Sequence, residues 1–296
     1  MNIKLKKDYY ACYPLPEDKW MIADLWQDSF NDSPEYIEFF FNQVYKPENT
    51  LVVKRDRYVV SALQMIPYKA KMNSNVYPIV YLCGVCTHPF ERGQGLMKKL
   101  LCIANHEMNK REYAFAVVTP ANNSLFPFYA DFGFNIPVFR HTHVYQLYDS
   151  YINNTKRFRR YTIIEGNRAH FPYFNRKESE RRFTLLHDEA DFDAILQEQR
   201  SCGAYTFVAL ENNIPVGMAF TGEKTDDYVE IIELMTDHIR VSKALYCHIL
   251  AKYGMDRIKI KTPSPNVFFS AKYGLIRRIG QTSFSLNQFS MSLMHD

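Results

Sequence analysis

Val85-Cys86-Thr87-His88-Pro89-Phe90-Glu91-Arg92-Gly93-Gln94-Gly95-Leu96 is the stretch on which the reading of this sequence turns. An apolar run from Val76 to Thr87 ends here and has the character of a buried strand. Pro89 stops the strand, and two glycines punctuate a turn. Apolar residues then recur at 96, 97, 100, 101, 103, 104 and 108, which is helical spacing. Glycine lets a backbone turn tightly and approach a ligand closely. The first N–H groups of a helix have no partner inside it, and the helix dipole adds positive charge there. An anion fits such an end, and Arg92 adds a planar fork suited to phosphate. The stretch therefore predicts a pyrophosphate held by Arg92, Gly93, Gln94, Gly95 and Leu96. Two familiar phosphate loops do not match. No Gly-Lys-Ser or Gly-Lys-Thr occurs here, and the dinucleotide fingerprint needs a third glycine.

Outward from this stretch, Leu15-Pro16-Glu17-Asp18 and Ser33-Pro34-Glu35 read as helix starts, with proline and acidic residues in the first turn. Thr50 to Lys54 and Tyr58 to Met65 read as strands, and Lys69 to Met72 continues the second. Tyr113 to Thr119 is a short buried strand. Asn122 to Asp131 is a short helix closed by Gly133, and Phe134 to Leu147 is extended. This order predicts an α/β layer architecture around one sheet. Residues 149–180 are polar and basic and read as a linker, dividing the 296 residues into domains at 1–148 and 181–296. In the second, Tyr205 to Leu210 and Val216 to Thr221 flank the turn Glu211-Asn212-Asn213. The strand Tyr228 to Met235, the helix Ile239 to Tyr253, the strand Arg257 to Thr262 and a short helix to Tyr273 come after it.

The halves echo each other. The first passes from Thr87-His88-Pro89 through a helix to Thr119-Pro120 and on to Gly133-Phe134. The second passes from Thr236-Asp237-His238 through a helix to Thr262-Pro263 and on to Gly274-Leu275. Such self-similarity points to duplication of one fold. The second copy lacks the glycine turn. Four residues before its Gly274 stands Ser270, where the first copy has Tyr129 before Gly133. Only the first copy is expected to be a competent site.

Val85-x-Thr87-x-Pro89-x-x-Arg92-Gly93-x-Gly95-Leu96 closely resembles motif A of the GNAT acyltransferases. Asn122 to Phe134, with its Asn, its Phe128-Tyr129 pair and its Gly133-Phe134, resembles the family's motif B. The resemblance covers roughly residues 1–148. The doubled layout and the Thr-His-Pro wording resemble the Eis-type acetyltransferases, which carry a further sterol-carrier-like domain for which this sequence is too short. The resemblance implies a mixed, mostly antiparallel sheet with flanking helices, in two tandem copies with the second degenerate. It implies acetyl-CoA as acyl donor, a primary amine of a small molecule or peptide as acceptor, and no metal. The backbone of Val85 and Thr87 would bind pantetheine, with Asn122 beside the pantetheine arm. Tyr129 would aim its hydroxyl at the thioester sulfur as general acid. A non-catalytic acyl-CoA-binding or regulatory module is the alternative. Met97 departs from the family's small residue. No carboxylate stands at Tyr81, Leu82, Cys83 or Gly84, where many relatives keep a base. Asp32 or Glu35 could serve, against the plainer reading of helix capping. In Eis-type enzymes the terminal carboxylate, here that of Asp296, reaches the site.

Composition sets the outer limits. Apolar residues are 47% and charged residues 23%, as in ordinary globular chains. A net charge of +4 argues against a nucleic-acid partner. Arg157, Arg159, Arg160, Arg176, Lys177, Arg181 and Arg182 cluster locally. They read as a solvated linker and helix face, with an anion patch as the alternative. No apolar run approaches the length of about 18 residues that spans a bilayer. MNIKLKKDYY lacks the apolar segment of a secretory signal. Six scattered cysteines suit free thiols in a reducing cytoplasm. Cys83-x-x-Cys86 has no second pair, and His141 with His143 has no third ligand, so neither reads as a metal site. Self-association through the second half is left open.

Overall fold

The computed structural model describes residues 1–6, 8–148, 158–263, 270–280 and 289–294. The first stretch contains β1 (Asn2–Lys6), β2 (Tyr9–Cys12), α1 (Lys19–Ser29), α2 (Pro34–Phe39), β3 (Thr50–Arg55), β4 (Tyr58–Met72), β5 (Asn75–Thr87), α3 (Leu96–Lys110), β6 (Phe115–Val118), α4 (Leu125–Ala130) and β7 (Ile136–Gln146). The rest contains β8 (Thr162–Glu165), α5 (Phe171–Ser179), β9 (Phe183–Leu186), α6 (Glu189–Ser201), β10 (Thr206–Glu211), β11 (Ile214–Lys224), β12 (Val229–Thr236), α7 (Ile239–Tyr253), β13 (Arg257–Pro263) and β14 (Ala271–Arg278). Two compact units result. The first is Met1–Val138 with a segment beginning at Tyr273, and the second is Phe139–Lys272 with residues 289–294.

In the first unit the strands run in the order β1-β2-β3-β4-β5-β6-β14. All neighbours are antiparallel except β5 and β6. The helix starts form as their sequences dictate. Asp18, fully buried, accepts the Leu15 N–H at 2.8 Å and pairs with Lys54 at 2.7 Å. Ser33 Oγ accepts the Tyr36 N–H at 3.2 Å, with Pro34 beginning α2. The strand β4 passes unbroken through Pro67, and β5 passes through Pro78, which still lends its carbonyl to the Ala114 N–H at 2.8 Å. A proline removes one donor from a ladder and leaves its acceptor. The apolar face of α3, with Leu96, Leu100, Leu101 and Ala104, packs on Leu63, Val80 and Leu82.

In the second unit the order is β7-β13-β12-β11-β10-β8, antiparallel except between β12 and β13. Asn212 and Asn213 take φ of 51° and 64°, the left-handed pair that a tight hairpin requires. Gly254, at φ 65°, ends α7. Leu245 and Ile249 of α7 pack on Phe207, Ile231 and Ile258.

Several expectations differ from what the structure holds. The hairpin β1–β2 precedes the first expected helix. Within 149–180, residues 162–165 form β8 and 171–179 form α5, whose basic sequence hides the buried Tyr173 and Phe174. Residues 149–157, including Arg157, lie outside the described residues. The compact units part at Val138 rather than at residue 148. Thus β7, the expected last strand of the first copy, pairs with β13 from Arg140↔Pro263 to Gln146↔Arg257. In return β14 pairs with β6 from Leu275↔Val118 to Arg278↔Phe115. The two halves exchange their last strands. The short helix expected after Thr262 does not reach Tyr273, since 271–278 are strand; residues 264–269, where the rest of it falls, and Asp296 lie outside the described residues. No helix among the described residues is long and apolar enough to cross a membrane.

Candidate active site

The parallel pairing of β5 with β6 covers Ile79↔Phe115 to Leu82↔Val118 and stops. β6 ends there, while β5 runs on to Thr87 with β4 on its other side, so that stretch of β5 has one edge without a ladder partner. Along that free stretch β5 carries one extra residue. Cys83 pairs with Gln64 and Cys86 with Ala62, leaving Gly84 and Val85 opposite Leu63 as a bulge. Gly84 sits at φ 55°, and a Cβ there would lie 2.3 Å from Trp26 Cζ3. Only glycine fits beneath that ring. A bulge re-aims backbone groups, and here it does so at Val85, one of the two residues expected to bind pantetheine. Thr87 is anchored from β4, its Oγ1 lying 2.8 Å from Ser61 Oγ.

Pro89 to Glu91 make one tight turn, and the chain then enters α3 through Gly93 at φ 75° and Gly95 at φ 73°. Nothing lies within 4 Å of a Cβ built on either glycine. The first turn of α3 therefore faces open space, with no side-chain cap at Gly95. Arg92, exposed, donates from Nε to the Thr87 carbonyl at 3.0 Å, which sets its guanidinium at the mouth of the turn. Leu96 is buried and begins the helix. Met97, where the family keeps a small residue, is half-buried against the same core.

The turn rests on a carboxylate that the sequence did not single out. Glu91 is buried. Its Oε2 accepts from Tyr9 Oη at 2.7 Å and from Gln94 Nε2 at 2.7 Å, and Arg55 pairs with its Oε1. Gln94 Oε1 in turn accepts from Lys6 Nζ at 2.5 Å. The hairpin β1–β2 thus grips the turn through Gln94 and Glu91. Nothing local signals this role, because Tyr9 and Arg55 lie far away in sequence.

Tyr129 is buried on α4 within the core that includes Leu82, Leu96 and Val118. Burial, then the neighbouring Cys86 and Cys83, push its phenol well above the ordinary range, so it keeps its proton at any physiological pH. Among the described residues no hydrogen-bond partner of its hydroxyl is found. Burial raises the Cys86 thiol to about 12, which leaves it a poor nucleophile. Asn122, exposed, accepts from the Ser124 N–H at 3.1 Å and hydroxyl at 2.6 Å, so its side chain builds the turn before α4. Asp32 accepts from the Trp26 indole at 2.7 Å, and Glu35 stands exposed in the first turn of α2. His141 and His143 lie 4.3 Å apart, and no metal-binding group is found among the described residues. Of the basic clusters, Arg160 pairs with Glu211, Arg176 with Glu180 and Arg181 with Glu233.

The acetyltransferase (GNAT) domain family matches residues 15–136, a span that holds the unpaired edge of β5, the glycine turn and Tyr129. No curated protein matches the sequence. A conserved protein of unknown function from Enterococcus faecalis V583, described as a probable N-acyltransferase, is similar with a TM-score of 0.71 and 15% identity, covering 92% of this chain and 72% of that one. Eis1 from Mycobacterium abscessus is similar with a TM-score of 0.62 at 11% identity, covering 92% and 73%. Saccharomyces cerevisiae N-myristoyltransferase, with bound myristoyl-CoA, is similar with a TM-score of 0.61 at 12% identity, covering 94% and 84%. At these identities the structures speak for the fold. The sequence match to the acetyltransferase (GNAT) domain lies within the first unit, at residues 15–136, and the structural likeness agrees with the fold of that domain.

Proposed function

We propose that the first unit transfers an acetyl group from acetyl-CoA to a primary amine. One observation carries this reading. The unpaired edge of β5, the open glycine turn at the start of α3 and a protonated phenol all lie around the same stretch of β5. Arg92, Gly93, Gln94, Gly95 and Leu96 would hold the pyrophosphate by backbone N–H groups and one guanidinium. The residues present fit that group. Both glycine positions are open and left-handed, and no side chain caps the helix. Val85 and Thr87 would align pantetheine along the free edge of β5, and Asn122 would flank it from the turn before α4. When bound, acetyl-CoA supplies an acyl thioester. An N–H at the bulge would then hydrogen-bond the acyl oxygen as charge develops on it. Tyr129 Oη would donate its proton to the departing sulfur.

Calorimetric titration of acetyl-CoA into the wild type and an Arg92→Ala, Gly95→Val variant tests the binding half of the proposal. Micromolar binding that the variant loses is expected, and absence of binding by the wild type would overturn it. Tyr129→Phe tests the chemical half. Turnover on an amine panel should fall about 10²–10⁴-fold, the usual worth of a general acid, with acetyl-CoA affinity unchanged. Binding without turnover by the wild type on any amine would favour a non-catalytic module.

A further inference from the structure

The second unit holds a cavity at an interruption in its sheet. β12 pairs with β13 only over Val229↔Ile258, Glu230↔Lys259 and Ile231↔Ile260, although the strands run on to Thr236 and Pro263. Past the last pair opens a cavity of about 190 Å³, with Ile232 and Leu234 from one strand and Ile260 from the other in its walls. Tyr145 of β7 and Tyr246 of α7 line it as well.

The ions in the walls are already answered from within the unit. Buried Glu233 accepts from Arg181 at 3.0 and 2.6 Å, from Ser292 Oγ at 2.5 Å and from the Leu234 N–H at 3.0 Å. Arg181 gives a further bond to Ser290 Oγ at 3.1 Å. Lys261 pairs with Glu230 at 2.7 Å, and Arg140 donates to the Met291 carbonyl. The imidazole in the wall, His143, is held below its ordinary pKa, first by burial and then by His141, so it is neutral at physiological pH. A charged ligand would lose its hydration here and gain no counter-charge, which is unfavourable.

The walls offer apolar and aromatic surface instead. His143 and Tyr145 stand two apart on β7 and so share a face. His143 stacks on Tyr145 with centroids 6.1 Å apart, and Tyr145 stacks on Tyr246 at 5.8 Å. Burial, then Tyr145, raises the Tyr246 phenol to about 12, so this wall too carries no charge. An apolar cavity of about 150 Å³ takes one molecule of benzene, so the space here suits a single ring with a short substituent. The nearby start of α7 gives an anion no foothold: His238 Nδ1 accepts the Arg240 N–H at 3.2 Å, and Asp237 adds a carboxylate. We propose that the cavity binds a small neutral aromatic molecule, its ring against Tyr145 and Tyr246 and its edge among Ile232, Leu234 and Ile260.

Benzyl alcohol is the probe, with phenylacetate and benzylamine as its anionic and cationic counterparts on the same ring. Titrated into the full chain, benzyl alcohol should shift the δ1-methyl resonances of Ile232 and Ile260 saturably. Each charged counterpart should bind at least about tenfold more weakly, because its charge is buried without a partner. Tyr246→Leu should weaken benzyl alcohol about two- to tenfold, the worth of one aromatic contact. Ile232→Phe, which fills the cavity, should abolish the shift at Ile260. The methyl spectrum itself reports whether each variant is folded. No saturable shift in the wild type, equal affinity for either charged counterpart, or full affinity in a folded Tyr246→Leu or Ile232→Phe protein would each overturn the proposal.

Discussion

In each unit one parallel pairing stops after a few residues, β5 with β6 at Leu82↔Val118, where β6 ends, and β12 with β13 at Ile231↔Ile260, past which both strands run on. Past that point the two chains of residues differ. In the first unit the chain reaches α3 through two left-handed glycines that leave the helix start bare. In the second it reaches α7 through Thr236, Asp237 and His238, and the helix start is capped. The walls differ as well. The first is shaped by backbone, by the bulge at Gly84 under Trp26. The second is held by the buried Glu233, which pairs with the half-buried Arg181 and accepts from Ser292 Oγ at 2.5 Å. An interrupted pairing alone is thus no phosphate site. The helix start beside it must also be free.

Four measurements would break or sharpen that contrast. The largest effect is expected at the charged wall. Arg181→Met leaves Glu233 buried without its partner and should cost about 3–5 kcal/mol in urea denaturation. Adding Glu233→Leu should recover most of it. If the single variant is as stable as the wild type, charge does not hold the second split.

Next comes the backbone. Valine at position 95 would sit at φ 73°, which costs about 1–2 kcal/mol for an L-residue, and its methyl groups would intrude on the open turn. Gly95→Val should lower acetyl-CoA affinity at least about tenfold, or 1.4 kcal/mol. Gly203→Val, at φ 68° in the second unit, carries the same strain and should leave that affinity unchanged. Equal losses would assign the effect to general instability.

A smaller effect should appear with pH. Desolvation opposes the charge of Glu233, but Arg181 outweighs it and holds the carboxyl below 4.5. Its contribution is complete above 4.5 and is lost as pH falls through the depressed folded value. Desolvation likewise opposes charge on the buried His187, but Glu178, 2.7 Å from Nδ1, raises its pKa above 6.5. That contribution is complete below 6.5 and is lost as pH rises through the raised folded value. Thermal midpoints should therefore be highest between 4.5 and 6.5 and decline on both sides. Glu178→Gln should remove the alkaline decline, and a midpoint that still falls above 6.5 in that variant would refute the assignment.

The smallest effect is expected at the grip on the turn. Tyr9→Phe removes one hydrogen bond to Glu91 and should cost about 1 kcal/mol, read as a lower thermal midpoint with a modest loss of acetyl-CoA affinity.

Much of this was legible from local chemistry. The helix start at Ser33, the hairpin at Asn212-Asn213, the α7 stop at Gly254 and the glycine turn all obey rules that act within a few residues. What was not legible depends on distant partners. Glu91 looks like another solvated charge until Tyr9 and Arg55 close on it. Gly84 looks incidental until Trp26 covers it. The alternation in 136–146 marks a strand but does not name its neighbour, so the change of unit at Val138 was hidden. The polar sequence of 158–180 likewise masked β8 and α5, because few buried residues suffice to seat a short edge strand and one helix.

The exchange of last strands has a consequence for how the chain matures. Val118 cannot meet Leu275 until synthesis has passed residue 275. During synthesis the first unit waits with β6 as a bare, apolar edge, the kind of surface on which chains aggregate. Its folding is tied to a contact of long sequence separation and should be slow for that reason. Neither half is a free-standing cassette, and a chain joined in this way is hard for evolution to cut apart.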